Sequence, residues 1–212
     1  MGTSQSSRNS QKRQNGPIGR PRGFDADEAL ERAMLLFWEH GYEGASLASL
    51  TSAMGISTTS MYAAFGNKEE LFRKALERYT EGPSAYVTRA LDEPTARDVA
   101  TALLTGAVRT STRPAHPRGC LGVQGALTAS DAGQTVRDLL ADWRNNGCAS
   151  IQERFQRAVD EGDLPPEADP GLLARYLTTM AFGISVQAAS GIGRDELQTM
   201  ADAALRTWPP LS

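Results

Sequence analysis

An uncharged stretch rich in hydroxyl groups is the segment of this sequence best suited to hydrogen bonding with a binding partner. No charged residue lies between Gly55 and Gly66, and a helix that begins after Ser57 would expose small or hydroxyl-bearing side chains, namely Thr58, Thr59, Ser60, Tyr62 and Ala63. Hydroxyl groups can hydrogen bond to base edges and phosphates, and a threonine methyl can contact a thymine methyl. The segment therefore predicts close contact with nucleic acid, with an ordinary packed helical hairpin as the structural alternative.

Two short helices joined by a tight turn would position these side chains. Ser46 is a suitable N-cap for a helix that ends at Gly55, and Ser57 can begin the next one. Gly55 can adopt the positive φ needed where the chain reverses. The buried side would be supplied by Leu47, Leu50, Ile56, Met61 and Phe65. These dimensions are those of a helix-turn-helix, whose second helix enters the DNA major groove.

Helical patterns flank this hairpin on both sides. Asp25 can cap a helix that ends at Gly41, and Asn67 with Glu70 can form a capping box for a helix that ends near 82–83. Further helical patterns cover about 95–112, 121–130, 132–161, 171–190 and 194–208. No stretch shows strand alternation. The sequence predicts an all-α fold, with a three-helix helix-turn-helix unit over 24–67 and a larger ligand-binding and dimerisation bundle over 68–212.

The charges are distributed unevenly along the chain. Five of the 22 basic residues and none of the 25 acidic residues lie in the first 24 positions. Residues 1–23 contain almost no large apolar side chains, so they cannot offset the entropy of ordering and are predicted to form a flexible basic tail. A basic arm on an acidic body favours local contact with an anionic partner such as a phosphate backbone.

Composition and cysteine usage exclude several classes. With 40% hydrophobic and 22% charged residues the chain is neither collagenous nor wholly disordered. No apolar run is long enough for a membrane span and no secretory signal begins the chain, so we expect a cytoplasmic protein without a membrane partner. His116, Cys120 and Cys148 lack a metal-ligand spacing, and no third group accompanies His116 and Cys120 as base and nucleophile. Neither an enzyme, a metal site nor a cofactor is predicted.

The residues between Ala33 and Phe72 resemble a known family. The matching positions are Ala33, Phe37, Gly41-Tyr42, Ser46-Leu47, Leu50, Ala53, Gly55-Ile56-Ser57, Met61-Tyr62, Phe65 and Lys68-Glu69-Glu70-Leu71-Phe72. They are similar to the DNA-binding region of the tetracycline-repressor (TetR) family of bacterial transcriptional regulators. The resemblance implies a homodimeric repressor that binds a palindromic double-stranded operator. It also implies release of that operator when a small-molecule effector binds the C-terminal domain.

The same resemblance assigns DNA contacts to individual residues. Ser46 and Lys68 fall at helix starts that meet the DNA backbone, and Arg20 and Arg22 can reach an adjacent minor groove. The full predicted set is Arg20, Arg22, Ser46, Ser57, Thr58, Thr59, Ser60, Tyr62 and Lys68. Family members often carry basic or histidine residues where this chain has uncharged ones, at Thr58, Ala63 and Ala64. The operator sequence therefore does not transfer from the family.

Two further surfaces are predicted in the C-terminal half. The last two helices resemble the dimer interface of the family, with contacts expected from Leu172, Tyr176, Met180, Ile184, Ala188, Leu197, Met200, Ala204 and Leu205. The same residues could be buried inside a monomer. Large or polar residues of the central helices are candidates for effector contacts, although each could be simple core: Tyr86, Cys120, Gln124, Trp143, Phe155, Met180, Phe182 and Gln187.

Two alternative functions remain open. A helical binding or scaffold protein could keep the hairpin without reading DNA sequence. Within the same family, Arg118-Gly119-Cys120-Leu121 resembles a step at which some regulators sense oxidants or electrophiles. Arg118 and His116 would favour the reactive thiolate of Cys120, whereas a buried cysteine would behave as a small hydrophobic residue.

Overall fold

The structure is a computed structural model, and it describes residues 23–124 and 133–210. Within these ranges the chain forms ten helices and no strand, so the predicted all-α fold is confirmed. The basic tail with Arg20 and Arg22 lies outside the described residues, as do the last six positions of the helix predicted over 121–130. The helices are α1 (Ala26–Gly44), α2 (Leu47–Met54), α3 (Thr58–Phe65), α4 (Lys68–Glu81), α5 (Tyr86–Ala90), α6 (Ala96–Ser111), α7 (Leu121–Gln124), α8 (Gln134–Asp160), α9 (Pro170–Ala189) and α10 (Arg194–Arg206).

Side-chain caps begin α1 and α4 where the sequence predicts them. The Asp25 carboxylate accepts hydrogen bonds from the backbone N–H groups of Asp27 and Glu28 at 2.9 and 3.2 Å. Asn67 Oδ1 accepts from the Glu70 N–H and Glu70 Oε2 accepts from the Asn67 N–H, each at 2.9 Å. Such caps satisfy N–H groups that have no partner inside the helix, and each typically contributes about 1 kcal/mol.

A glycine interrupts α1 where the sequence predicts its end. Gly41 has φ 70° and ψ 175°, and a short helical turn follows it as far as Gly44. An L side chain is disfavoured at this positive φ, which explains the glycine. The bend buries Ala45 and directs the chain into α2.

An apolar cluster, called here the N-terminal core, joins the first four helices. Phe37 and Phe72 pack edge to face with ring centroids 5.0 Å apart, and Trp38 and Tyr79 do the same at 4.9 Å. Such aromatic pairs contribute about 0.5–1.5 kcal/mol beyond their burial. All four side chains are fully buried, so α1 and α4 are held in a fixed relation.

The N-terminal core extends beyond the helix-turn-helix unit. Leu121 of α7 and Leu140 of α8 belong to the same cluster, as do five residues of α4. Arg78 of α4 also donates from Nε to Glu31 Oε2 of α1 at 2.6 Å. The domain boundary predicted between 67 and 68 therefore falls inside one continuous core.

A second apolar cluster, called here the C-terminal core, joins α6, α8, α9 and α10. Its members include Leu104, Phe155, Leu177, Leu197 and Trp208. These four helices match their predicted ranges to within two residues at each end. The short α5 was not predicted, because five residues are too few to show a helical period.

Candidate nucleic-acid interface and interior cavity

The turn between α2 and α3 has the geometry that the sequence predicts. Ser46 Oγ accepts a hydrogen bond from the Ser49 N–H at 3.0 Å, and Ser57 Oγ accepts from the Ser60 N–H at 3.1 Å. Between the two helices Gly55 has φ 68° and ψ 29°, which is the left-handed helical conformation. The two serine caps and this glycine define where α2 ends and α3 begins.

The buried side of α3 is apolar and its outer side carries hydroxyl groups. Met61 and Phe65 are buried, whereas Thr58 and Thr59 are exposed and Tyr62 is 46% exposed. This matches the outward face expected from the sequence, except at Ser60. That residue is half-buried, and its Oγ lies 3.0 Å from Ser57 Oγ. The structure therefore presents two threonines and a tyrosine on the outer side of α3.

Two neighbouring elements fix α3 on its underside. The Phe24 and Phe65 rings lie 6.4 Å apart, centroid to centroid, and Lys74 Nζ of α4 donates to the Phe65 carbonyl at 3.2 Å. Because Phe24 stands two residues after Arg22, the chain enters the described fold beside the end of α3. A lysine at the last carbonyls of a helix also interacts favourably with its dipole.

Lys68 is held at the beginning of α4 by an aromatic ring. Its Nζ lies 4.3 Å from the centroid of the Tyr42 ring, a cation–π geometry. Partial burial lowers the pKa of Lys68, and the nearby Glu43 carboxylate opposes that shift. Burial, together with Glu69 and Glu43, raises the pKa of Tyr42. Lys68 is the first charged residue after Glu43, so the whole α2-turn-α3 segment is uncharged.

A partly open cavity of about 290 Å³, called here the interior cavity, lies among α4, α5, α6, α8 and α9. Four of the residues predicted to contact an effector line it, namely Tyr86, Cys120, Trp143 and Phe182. Two glycines leave room for the largest of these rings. A Cβ on Gly122 would lie 2.2 Å from the Trp143 ring, and a Cβ on Gly106 would lie 2.2 Å from the Tyr86 ring. Both rings therefore depend on a glycine opposite them.

The other four predicted effector contacts lie elsewhere. Phe155 is fully buried against Trp208, with ring centroids 5.5 Å apart, and Met180 packs against the C-terminal core. Gln187 is exposed, and Gln124 donates from Nε2 to the Arg118 carbonyl at 2.6 Å. None of these four residues lines the cavity. Their size or polarity could not predict this, because a large or polar side chain on a central helix can face the core, the solvent or a cavity.

Sequence reasoning missed several residues of the cavity wall. Arg144 is the most informative, because it is the only charged side chain among the described residues that line the cavity. Thr80 of α4 is another, and it accepts a hydrogen bond from Trp143 Nε1 at 2.9 Å. Neither stands out by spacing: Arg144 is one of four arginines along α8, and Thr80 occupies the last turn of α4.

Cys120 lies where the cavity meets the N-terminal core. Its Sγ accepts a hydrogen bond from Tyr79 Oη at 3.2 Å. Burial raises the pKa of the Cys120 thiol, while the Tyr79 hydroxyl and, more weakly, the Arg144 charge act to lower it. Burial also raises the pKa of Tyr79 well above its usual range. The protonated thiol is therefore favoured, contrary to the thiolate that Arg118 and His116 would have promoted.

The residues predicted for a dimer interface fall into two groups. Leu172 and Met200 are 58% and 42% exposed, and Tyr176 and Met180 are half-buried. Five others are buried within the protomer and do not form a surface, because α9 and α10 direct them into the C-terminal core: Ile184, Ala188, Leu197, Ala204 and Leu205. Val186, which was not predicted, is 46% exposed on α9.

The described ranges hold neither a metal-binding cluster nor a membrane-spanning helix. No three His, Cys, Asp or Glu side chains there are arranged to hold a metal ion. None of the helices there combines the length and apolar character required to cross a lipid bilayer.

In the described residues, a helix-turn-helix that exposes its second helix beside a helical domain with a cavity is the architecture of a DNA-binding regulatory protein. Residues 29–75 match the family described as bacterial regulatory proteins, tetR family, and residues 96–204 match the tetracyclin repressor-like C-terminal domain. This chain belongs to the TetR family of transcriptional regulators.

Individual relatives support this assignment along most of the chain. The HTH-type transcriptional repressor ComR of Escherichia coli K12 is 33% identical over 195 residues, covering 91% of this chain and 93% of ComR. The HTH-type transcriptional repressor BdcR of the same strain is 28% identical over 202 residues, covering 92% and 96%. A solved cysteine mutant of the TetR family regulator CifR, in complex with 26-base-pair operator DNA, is 46% identical. It has a TM-score of 0.86 and covers 90% of this chain and 100% of that one.

Proposed function

We propose that this protein is a dimeric repressor that binds a palindromic operator through α3 and leaves it when a small molecule occupies the interior cavity. The observation that carries the proposal is the exposed hydroxyl face of α3, in a chain 46% identical to a regulator solved on operator DNA. The activity belongs in the cytoplasm, where bacterial DNA lies.

Base recognition is assigned to the outer side of α3. Thr58, Thr59 and Tyr62 are exposed there and can reach base edges in the major groove. Ser57 and Ser60, whose hydroxyl oxygens lie 3.0 Å apart at the beginning of α3, are assigned to a phosphate contact. Small uncharged side chains let the helix backbone approach the DNA closely.

Phosphate contacts are assigned to helix starts and to the arm. The first N–H groups of α2 after Ser46 are assigned to a phosphate, and at the beginning of α4, where Glu70 already accepts from the Asn67 N–H, the charge of Lys68 is assigned to another. Arg20 and Arg22 precede Phe24, which packs beside the end of α3, so a minor groove flanking the recognition helix is within reach of the arm. Each protomer then brings three cations to the DNA.

A salt series tests this proposal against a scaffold that does not read DNA. With six cations per dimer, the slope of log affinity against log salt is expected to be on the order of −5 on the specific fragment. Replacing both Arg20 and Arg22 with Ala removes four of the six cations of the dimer. The magnitude of this slope should then fall from roughly five to roughly one or two. Gel shifts on genomic fragments provide the measurement. Equal weak binding to every fragment would favour the scaffold.

The dimer contact is assigned to the exposed apolar residues of α9 and α10. Leu172, Val186 and Met200 are the large apolar side chains of these helices that stay exposed in the single protomer. A twofold axis through this face would present two α3 helices to one DNA face. The two half-sites of a palindrome lie about 34–36 Å apart.

Effector control is assigned to α4, which connects the cavity to α3. Near its C-terminal end Thr80 lines the cavity and accepts the Trp143 hydrogen bond. Nearer its beginning Lys74 donates to the last residue of α3, Phe65. A ligand that displaces Trp143 would shift α4 and so alter the position of α3. Its effect is limited to its difference in affinity for the two arrangements.

A second candidate function is covalent sensing of electrophiles at Cys120. The observation that favours it is that Cys120 lines the cavity and its Sγ accepts a hydrogen bond from Tyr79. An alkylating agent such as an alkyl halide would form a carbon–sulfur bond at Sγ as its carbon–halogen bond breaks, with the halide and the thiol proton released to solvent. Mass spectrometry of the labelled protein alongside gel shifts tests this. If Cys120→Ser still releases DNA in response to every active compound, control by reversible binding remains.

A further inference from the structure

Among the described residues, the wall of the interior cavity has a single charge. Most of the wall is apolar, with hydroxyl and amide groups from residues such as Thr178 and Asn146. Arg144 of α8 is the one charged side chain, and no Asp or Glu lines the cavity among the described residues. Of the described part of the wall, a ligand entering this space therefore meets a positive charge and no negative one.

The hydrogen bonds of Arg144 leave most of its donors available. A guanidinium carries five N–H donors and stays protonated in proteins. In the described ranges one of them, at Nη1, donates to the Gly122 carbonyl at 2.8 Å, and no carboxylate lies within ion-pair distance. Partial burial lowers the pKa of Arg144. A partly buried cation without a counter-ion favours an anionic ligand.

We propose that the effector is a small, mostly apolar monocarboxylate whose carboxylate pairs with Arg144. This inference rests on the proposed function, in which the cavity takes a regulatory ligand. The planar guanidinium can donate two parallel hydrogen bonds to a carboxylate. Leu103, Ile151 and Leu177 supply apolar wall for the rest of the molecule.

The cavity volume limits the size of this ligand. A volume of about 290 Å³ is near the lower end for small-molecule sites. A short aliphatic or single-ring carboxylate fits this space, whereas a molecule with several charged groups would leave charges without partners.

The same arginine connects the ligand to α7. Gly122, whose carbonyl accepts from Arg144, belongs to α7, and the neighbouring Leu121 is buried in the N-terminal core. A carboxylate that competes for Nη1 would weaken the contact between α8 and α7. Ligand charge would thus act on the part of the molecule that supports α1 and α4.

Isothermal titration of the purified full chain with octanoate and with octanamide tests the proposal. Octanamide is the neutral isostere of octanoate, so the pair differs only in the charge offered to Arg144. Octanoate is expected to bind at least about tenfold more tightly, the lower end for a hydrogen bond between charged groups. Equal affinity for both compounds, or no binding of either, would overturn the proposal.

Substitutions on α8 assign the preference to Arg144. Arg144→Met should reduce octanoate binding to the octanamide level, and Arg144→Lys should keep part of the preference because it keeps the charge. Arg157→Met, on the same helix but outside the cavity wall, is the matched control and should change nothing. Unfolding temperatures of all three variants verify folding. If the Arg144→Met variant still binds octanoate more tightly than octanamide, the proposal is wrong.

Gel shifts with the same two compounds separate this inference from the proposed function. If octanoate binds through Arg144 but does not release DNA, the carboxylate site stands and its regulatory role fails. If octanamide releases DNA as well as octanoate does, the regulatory role stands and the carboxylate assignment fails.

Discussion

Hydroxyl groups, rather than charges, face outward from α3. Thr58, Thr59 and Tyr62 are exposed, and no charged residue lies between Glu43 and Lys68. Hydroxyls donate and accept, so each discriminates less between bases than an arginine that bonds guanine at two points. Specificity then depends on how accurately α3 is positioned, which gives the surrounding packing a direct role in DNA recognition.

Thr59→Ala is expected to weaken specific DNA binding by about 1 kcal/mol and to reduce the preference between fragments that differ at one base pair. The reason is loss of a hydroxyl and a methyl group from the face assigned to the bases. Gel-shift titration at fixed salt provides the measurement. Thr135→Ala, an exposed threonine of α8, is the control and should bind like the parent. Unchanged affinity and selectivity in Thr59→Ala would refute the assignment.

Cys120 is expected to react slowly with iodoacetamide at neutral pH. Its raised pKa lowers the thiolate fraction there, so the rate should rise only as the pH passes above the ordinary thiol value of about 8.5. Tyr79→Phe removes a hydrogen bond that favours the thiolate and should shift the profile to still higher pH. Peptide mapping of the alkylated protein follows the rate at Cys120. A rate already constant at about pH 7 would show that the thiolate forms readily.

The helix-turn-helix depends on local conformations that few residues can adopt. Ser46 and Ser57 satisfy free N–H groups at two helix starts, and Gly55 turns the chain between them with φ 68°. Met61 and Phe65, on the inner side of α3, are buried in the N-terminal core. The caps and the glycine determine where α3 lies along the chain, and the core determines which way it faces.

Gly55→Ala is expected to lower the free energy of unfolding by about 1 kcal/mol, because a Cβ is disfavoured in the left-handed conformation. Gly55→Asn should cost less, since Asn tolerates this conformation better. Gly147→Ala is the matched control: Gly147 lies within α8, a Cβ there meets nothing within 4 Å, and the protein should be equally or more stable. Urea denaturation compares the three. Equal stability of Gly55→Ala and the parent would contradict this account of the turn.

Two cores of different composition share this molecule. The N-terminal core is rich in aromatic side chains and includes residues of α7 and α8, while the C-terminal core joins α6, α8, α9 and α10. Cys120 and Trp143 line the cavity and also pack against the N-terminal core. The cavity wall therefore contacts the part of the chain assigned to DNA binding. A movement of Cys120 or Trp143 would be transmitted to it directly.

Replacing Leu172 and Met200 together with Glu is expected to convert a dimer into a monomer, because two carboxylates per protomer would be buried against a second copy without partners. Analytical ultracentrifugation measures the mass. The affinity for a palindromic DNA fragment should also fall, because a single protomer reaches only one half-site. Ala149→Glu, exposed on α8, is the control and should leave the mass unchanged. A double variant that retains the parent mass would show that another surface forms the dimer.

Local signals explain why the N-terminal third was predictable. Asp25, Ser46, Ser57 and Asn67 each cap the helix that follows them, and a cap involves only residues within one turn. Residues of the cavity were predicted less well. Trp143 was identified, whereas Phe155 was assigned to the cavity and lies instead against Trp208.

The sequence alone determined the all-α class, the positions of most helices and the uncharged, hydroxyl-rich character of α3, because these follow from caps, glycines and helical period within a few residues. Only the tertiary structure decided that Arg144 lines a cavity and that Ile184 and Leu197 are buried in the protomer while Leu172 and Met200 remain exposed. The reason is that helices apolar on several faces can pack in more than one rotation. The choice between core, cavity and free surface is made by contacts between residues far apart in the chain.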